Sequence, residues 1–419
     1  MICAVESITH NGEGVARIEG KAVFIPGAIP GETVDIEMID NRKSFARARL
    51  IRVLEPSSDR LEPLCPHYFA CGGCSYQHVS YPRQLQLKGQ VVQDAVKRIG
   101  GIEVKVEPVL GMEDPWHYRN KVQWHTGNLG GRLSMGYFRP GSRELVTIDT
   151  CLLISQEMND ISRFLRDNLA YLQVPEGCII TVRQSSYNHE MMLIFSGTGA
   201  RNIDYARLLN HQEVASIYSV ENGKLQLHYG DSVLKERIRN IDFEISPLAF
   251  FQVNPVQTRV LMDKILDYGF LQPGYSLLDA YCGTGSIALN AAKSVQRVVG
   301  VENNRQAIKD AKRNAYANGI TNCRFIKGAC EEIVPSLYEH FDVVVLDPPR
   351  AGCKRELIDA VIHIEPKQIV YVSCNPATLA RDLAIITKSD YQVNLVQPVD
   401  MFPQTSHVET VVLMSRKGK

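Results

Sequence analysis

Two short segments toward the C-terminal end carry groups able to do covalent chemistry. Ser373-Cys374-Asn375-Pro376 sets a thiol just past the β-branched run Ile369-Val370-Tyr371-Val372, and His407-Val408-Glu409-Thr410 supplies a carboxylate. A cysteine where an apolar strand runs into a turn is held toward a cleft, which is where open α/β sheets bind ligands. Cys374 is therefore expected to be a nucleophile and Glu409 a base. The bland alternatives are a small buried apolar residue for Cys374 and a solvated strand charge for Glu409.

A second reactive set lies earlier. Cys65-x5-Cys71-x2-Cys74 occupies a loop broken by Pro66, Gly72 and Gly73, with Cys151 as the distant fourth thiol. Four cysteines can hold zinc or an iron–sulfur cluster. Zinc ribbons usually pair two close knuckles, whereas here a triplet faces a single residue, so the spacing favours the cluster. A Pro/Gly loop offers little core in which three cysteines would simply be buried.

A third set could hold a nucleotide-like cofactor. Asp279-Ala280-Tyr281-Cys282-Gly283-Thr284-Gly285-Ser286 joins an apolar strand to the helix-like Ile287-Ala288-Leu289-Asn290-Ala291-Ala292-Lys293. Glycines there let the backbone approach a ligand at a helix N-terminus. About twenty residues on, Val299-Gly300-Val301-Glu302 ends the next strand in a carboxylate suited to ribose hydroxyls. Gly283-x-Gly285-x-x-Ala288 also satisfies the dinucleotide fingerprint, so an NAD-linked oxidoreductase is a competing reading. Leu346-Asp347-Pro348-Pro349-Arg350 tilts against it, because an acid and a rigid diproline at a strand end are typical of methyltransferases that act on planar nitrogen-containing rings. Arg350 stands where amino-methylating enzymes carry a stacking aromatic, which points away from exocyclic amines. Methylation of ring carbon needs activation: C5 of uracil becomes nucleophilic once a thiolate adds at C6, and a base must later remove the C5 proton. Cys374 and Glu409 suit those two steps.

The elements that must position these groups fall into three segments. Residues 1 to about 55 alternate apolar runs with turns such as Asn11-Gly12-Glu13-Gly14 and Pro30-Gly31, the pattern of a small barrel. Phe45, Arg47 and Arg49 would share one face of its last strand, with Arg42, Lys43 and Arg52 nearby, which suits a nucleic acid or a charged edge strand equally well. A middle segment carries strand-like runs, among them Lys121 to Thr126 and Cys178 to Arg183. From about 246 strands and helices alternate, through Ser276 to Asp279, Arg297 to Glu302, Cys323 to Ile326, Phe341 to Leu346 and Gln368 to Val372. Such near-continuous apolar strands predict a parallel sheet covered on both faces.

Bulk properties are permissive. Lys plus Arg and Asp plus Glu number 46 each in 419 residues, so any nucleic-acid footprint must be a local patch. The first residues lack a basic start and apolar core, and no apolar run approaches the ~20 residues that span a bilayer, so a cytoplasmic location with no membrane association is expected. Eleven cysteines then read as buried thiols, metal ligands or catalytic groups before disulfides.

Taken in order, Asn11 to Gly14, Gly27 to Gly31, the four cysteines, Phe250-Phe251-Gln252-Val253-Asn254, Asp279 to Gly285, Asp347 to Arg350, Ser373 to Asp382 and His407 to Thr410 give the chain a resemblance. It resembles the RNA 5-methyluridine (uracil-C5) methyltransferases, most closely the bacterial 23S rRNA enzymes with a TRAM domain and an iron–sulfur cluster, over essentially its whole length. The resemblance implies a TRAM-like OB barrel (1–58), a cluster-bearing α+β middle domain (59–245) and a C-terminal α/β Rossmann-like methyltransferase domain (246–419). It implies a [4Fe–4S] cluster on Cys65, Cys71, Cys74 and Cys151, nucleophile Cys374 and general base Glu409. Contacts to S-adenosyl-L-methionine would fall to Gln252, Tyr281, Ser286, Glu302 and Asp347, with Gln252 and Asp347 also near the uracil edge and Phe250 stacking on the base. Many methyltransferases hold the adenine amine with an acid where this chain has Gly328-Ala329-Cys330, which leaves that contact open. The implied reaction makes 5-methyluridine in 23S rRNA, or by the same chemistry in the tRNA T-loop, with no protein partner. The target base must be presented in a loop or flipped out. Tyr118 to Lys121 and Tyr137 to Arg139 are candidate RNA contacts by composition, while Arg381 and Asp382 are expected to anchor the loop and helix near Cys374. An RNA-binding protein with a decayed catalytic domain is the rival from another class.

Overall fold

A computed structural model describes residues 1–208 and 213–418. The first segment is a six-stranded sheet whose opening strand is broken at Val5-Glu6. Its first half, Ile2–Ala4, pairs with Thr33–Asn41, and its second, Ser7–Ile8, pairs with Glu13–Ile18, which closes the sheet on itself. Val23, Ile25, Val34, Ile36, Ala46 and Ala48 fill the interior. The period-two alternation in Phe45–Glu55 puts Ala46 and Ala48 inside and Arg47 and Arg49 outside, as expected. The acids missing from the local sequence arrive across the sheet. Arg47 pairs with Glu13 at 2.9 Å, Arg42 with Asp40 at 2.8 Å, and Arg49 with Glu37. Most of the cations on this face are thus paired with acids.

The middle segment is built on a seven-stranded sheet that includes Lys121–Leu129 and Ile179–Gln184. Trp124, Met158, Leu165 and Phe195 lie in its core. Tyr118 and Asn120 turn inward, contrary to a surface RNA contact. The Tyr118 hydroxyl donates to Pro403 O at 3.0 Å, and the Asn120 main-chain N–H donates to Val253 O at 3.0 Å, so this run joins the middle and C-terminal segments.

The C-terminal sheet has the spatial order Cys323–Lys327, Arg297–Glu302, Ser276–Ala280, Val343–Leu346, Gln368–Ser373, Glu409–Arg416, Tyr391–Val399. The first five are parallel, as the apolar runs predict, and Glu409–Arg416 runs antiparallel to both of its neighbours, so that Tyr391–Val399 points the same way as the first five. Side chains alternate between two cores: Leu277, Val298, Val343, Val345, Val370 and Val372 pack on one face, and Leu278, Val299, Val344, Leu346, Ile369 and Tyr371 on the other. The hairpin Leu234–Ile238 and Ile241–Ile245 contributes Phe243 and Ile245 to the first core, and the helix Tyr81–Arg98 contributes Val92 and Val96 to the second. Among the described residues no helix is long and apolar enough to cross a membrane.

Candidate active site

Four parallel strands end side by side and present Tyr281, Glu302, Asp347 and Cys374 at their C-terminal edge. Strand order reverses beside Ser276–Ala280, the place where α/β sheets open a crevice. Tyr281 takes the left-handed conformation (φ +67°) as the chain turns sharply off its strand, and its N–H donates to Cys330 Sγ at 3.2 Å. Gly285 also needs the left-handed region (φ +85°), and a Cβ there would meet Ala311 and Phe325 at 3.3 Å, so only glycine fits where the loop enters the helix Ser286–Ala291. Asp279 accepts the Ala288 N–H at 2.9 Å through Oδ2. Its fully buried carboxyl is pushed well above the ordinary range by burial and then by Asp347 and Glu302, and its Oδ1 has no hydrogen-bond partner among the described residues. Glu302 is fixed at both oxygens, accepting from Gly283 N at 3.2 Å and Asn304 N at 2.6 Å.

Cys374 follows Ser373, which lies opposite Thr410 in the antiparallel pair, so Glu409 stands next to Cys374 across the strands. Burial raises the Cys374 thiol to about 11; Glu409 and Asp347 push the same way, and the Arg350 guanidinium opposes them. Glu409 is buried, and burial followed by Asp347 holds its carboxyl well above the usual carboxylate range, again against Arg350. Burial raises Asp347 to about 7. His407, two residues before Glu409, is lowered to about 4 by burial and by Arg350, and is therefore neutral at pH 7. A thiol, two carboxyls and one guanidinium thus share a desolvated corner in which burial shifts proton affinities, as it does at sites of acid–base chemistry.

Arg381 and Asp382, expected to anchor the helix and loop after Cys374, tie the loop that follows the diproline to that helix. Asp382 Oδ2 accepts from Cys353 N at 2.8 Å and from the Tyr371 hydroxyl at 2.6 Å, while Arg381 donates to Ala351 O at 3.0 Å. Arg350 O accepts from Asn375 Nδ2 at 3.2 Å, which ties that loop directly to the residue after Cys374. Gln252 lies half-buried, its carbonyl accepting from Asn120 Nδ2 at 3.3 Å, and Phe250 is 71 % exposed. Ser286 opens the helix after the glycine loop. Nothing in the local sequence puts Arg350 near Cys374 and Glu409 or His407 near Arg350; the fold does both.

Cys65, Cys71, Cys74 and Cys151 line one cavity with Gln77, Arg119 and Tyr137, and all four are free thiols. Burial raises Cys71 to about 11 and Cys74 to about 12, with neighbouring cysteines adding to the rise. Two N–H groups already point at sulfur, Gly73 N to Cys71 at 3.3 Å and Gln77 Nε2 to Cys74 at 3.2 Å. Among the described residues no group of three or more His, Cys, Asp or Glu side chains is gathered closely enough to hold a single metal ion.

Fold and site together define an α/β enzyme with a glycine-rich cofactor loop and a reactive thiol among buried acids. Residues 204–417 match the tRNA (uracil-5-)-methyltransferase family and residues 4–51 match the TRAM domain. A Bacillus cereus protein named as an RNA methyltransferase is 40 % identical over 99 % of this chain and 96 % of its own length. A Clostridium tetani protein named likewise is 38 % identical over 97 % and 94 %. The solved Pyrococcus abyssi tRNA (uracil-54, C5)-methyltransferase in complex with S-adenosyl-L-homocysteine superimposes with a TM-score of 0.80 at 26 % identity, covering 99 % of this chain and 100 % of that one. The chain belongs to the tRNA (uracil-5-)-methyltransferase family and is an RNA (uracil-5-)-methyltransferase.

Proposed function

We propose that this enzyme methylates C5 of a uridine in 23S rRNA by way of a covalent bond between Cys374 and C6 of the base. The observation that carries the proposal is the adjacency of Cys374 and Glu409 across neighbouring strands, with Asp347 and Arg350 beside both. Cys374 loses its proton and adds through sulfur to C6, breaking the C5–C6 double bond and placing the electron pair on C5 and the C4 carbonyl. The bound donor, S-adenosyl-L-methionine, supplies an electrophilic methyl group. Glu409, in the ionised form that the Arg350 guanidinium favours against burial, then removes the C5 proton, the double bond re-forms, and sulfur leaves C6 with its electron pair. Arg350 opposes the rise in the Cys374 pKa, and so favours the thiolate that attacks.

The donor fits the glycine loop on two counts: Gly283, where a Cβ would meet nothing within 4 Å, leaves room for close approach, and the buried Asp279 Oδ1 has no partner among the described residues. Tyr281, Ser286, Glu302, Asp347 and Gln252 would hold it, Glu302 through ribose hydroxyls. Exposed Phe250 would stack on the extruded base.

The four cysteines fit a [4Fe–4S] cluster by their donor chemistry. Four free thiols face one cavity, N–H groups are aimed at two of the sulfurs, and Arg119 lies near Cys74 and Cys151 to offset thiolate charge. Its role here would be structural. Protein purified without oxygen is expected to be brown and to contain iron, measured by metal analysis; stoichiometric zinc would overturn this assignment.

The 23S assignment rests on the resemblance drawn from the TRAM-like opening and the cysteine set. The archaeal tRNA enzyme, similar over the whole chain, favours a second reading in which the tRNA T-loop is the substrate. Mapping 5-methyluridine by mass spectrometry in 23S rRNA and tRNA from a deletion strain separates the two. Loss of one 23S 5-methyluridine with tRNA intact is expected, and the reverse would establish the tRNA reading.

A further inference from the structure

Residues 400–408 link the strand Tyr391–Val399 to Glu409–Arg416 and deliver His407 and Glu409 to the face that bears Cys374. This linker is an irregular loop, yet Met401, Gln404, Thr405 and Ser406 are buried and Gln404 takes the left-handed conformation (φ +67°). Its path is imposed from far away in the sequence. Lys88, completely buried on the helix Tyr81–Arg98, donates to Asp400 Oδ1 at 2.5 Å and to Phe402 O at 3.1 Å. The Tyr81 hydroxyl donates to Asp400 Oδ2 at 2.9 Å. One turn before Lys88, Gln84 exchanges two hydrogen bonds with Gln404, at 2.9 and 3.1 Å. The flank of the cysteine loop supplies the opposite wall: Ser75 and Tyr76 donate their N–H groups to Gln404 O at 3.0 and 2.9 Å, and Ser75 Oγ accepts from Ser406 N at 2.8 Å.

A fully buried lysine–aspartate pair is a poor device for stability alone, since desolvation cancels most of its Coulomb gain and apolar side chains of similar volume do as well. What the pair does provide is direction, because three donors on one ammonium and two oxygens on one carboxylate define where the loop begins. A general base has to lie within hydrogen-bond reach of its proton, and a displacement of about 1 Å can cost on the order of 100-fold in rate. We propose that Lys88, acting with Tyr81 and Gln84, is a positioning residue for Glu409, and that the helix Tyr81–Arg98 and the cysteine loop form a clamp that sets the reach of the base toward Cys374. The inference rests on the base role proposed for Glu409.

A misplaced base leaves a signature distinct from a weakened fold. Sulfur addition and methyl transfer proceed, but proton removal stalls, so methylated RNA stays bound to the protein. The full-length enzyme, purified without oxygen, is given methyl-labelled S-adenosylmethionine and unmodified 23S rRNA and tRNA transcripts, and denaturant-stable, labelled complexes are counted on a gel alongside turnover. Lys88→Met is expected to lower turnover about tenfold or more with KM for RNA nearly unchanged, and to accumulate the complex as Glu409→Gln does. Tyr81→Phe, which removes the hydrogen bond to Asp400 and the one accepted from Met112 N while leaving Lys88 in place, is expected to do the same to a smaller extent and decides the question alone if Lys88→Met does not fold. If Glu409→Gln traps the complex while Lys88→Met and Tyr81→Phe lose turnover without trapping it, or lose none, the clamp is overturned. If Glu409→Gln itself traps nothing, the base assignment fails first.

Discussion

Cys374→Ala is expected to abolish methylation, with a loss on the order of 10⁴-fold or more, because Cys374 is the partly exposed thiol beside Glu409, whereas Cys282, Cys330 and Cys353 near the neighbouring strand ends are buried. Donor affinity should be nearly unchanged. The glycine loop, Glu302 and Asp279 hold their geometry through Gly283, Asn304 and Ala288, none of which touches the thiol. The measurement pairs a methyl-transfer assay with calorimetric titration of S-adenosylmethionine. Retained turnover would remove Cys374 as the nucleophile, and lost donor binding would mean that the thiol props up the cofactor site instead.

The second large effect concerns Glu409→Gln. The amide keeps the volume of a buried side chain but cannot take a proton, so turnover should fall by about 10² to 10⁴-fold while the covalent RNA complex accumulates. The same variant carries a stability prediction. Burial holds the Glu409 carboxyl well above its ordinary value, so the folded chain keeps a proton that the unfolded chain releases near pH ~4.3. A raised folded-state pKa means that the folded state is favoured below that unfolded value and loses this advantage as pH rises toward the folded one. The glutamine variant should therefore melt above the parent at pH 8 and together with it near pH 4. Equal melting temperatures at both pH values would show that the carboxyl is solvated.

Much of this arrangement was legible in the residues themselves. Near-continuous apolar runs marked the strands of the C-terminal sheet, since Leu277 and Leu278, or Val343 and Val344, face opposite cores and both must be apolar. The approach of Cys374 to Glu409 was suggested by residue type, but the pairing that creates it was not. Parallel order was expected throughout, and the antiparallel return of Glu409–Arg416 beside Gln368–Ser373 is a long-range register that no local pattern encodes. A local reading of the surface misses partners that come from elsewhere: Arg47 meets Glu13 and Arg49 meets Glu37 on other strands, and Tyr118 turns inward to Pro403. Lys88 was missed altogether. Its signal was nonetheless present, a charge on the same helical stripe as Gln84, Val92 and Val96, where burial demands a partner.

The most direct test of the sulfur–carbon bond uses RNA transcribed with 5-fluorouridine, whose C5 fluorine cannot be removed as a proton, so that addition and methyl transfer occur and elimination does not. Incubation with S-adenosylmethionine, digestion and tandem mass spectrometry should find methylated 5-fluorouridine attached to the peptide containing Cys374. Attachment at any other cysteine, or none with an enzyme that methylates ordinary RNA, would contradict the covalent mechanism.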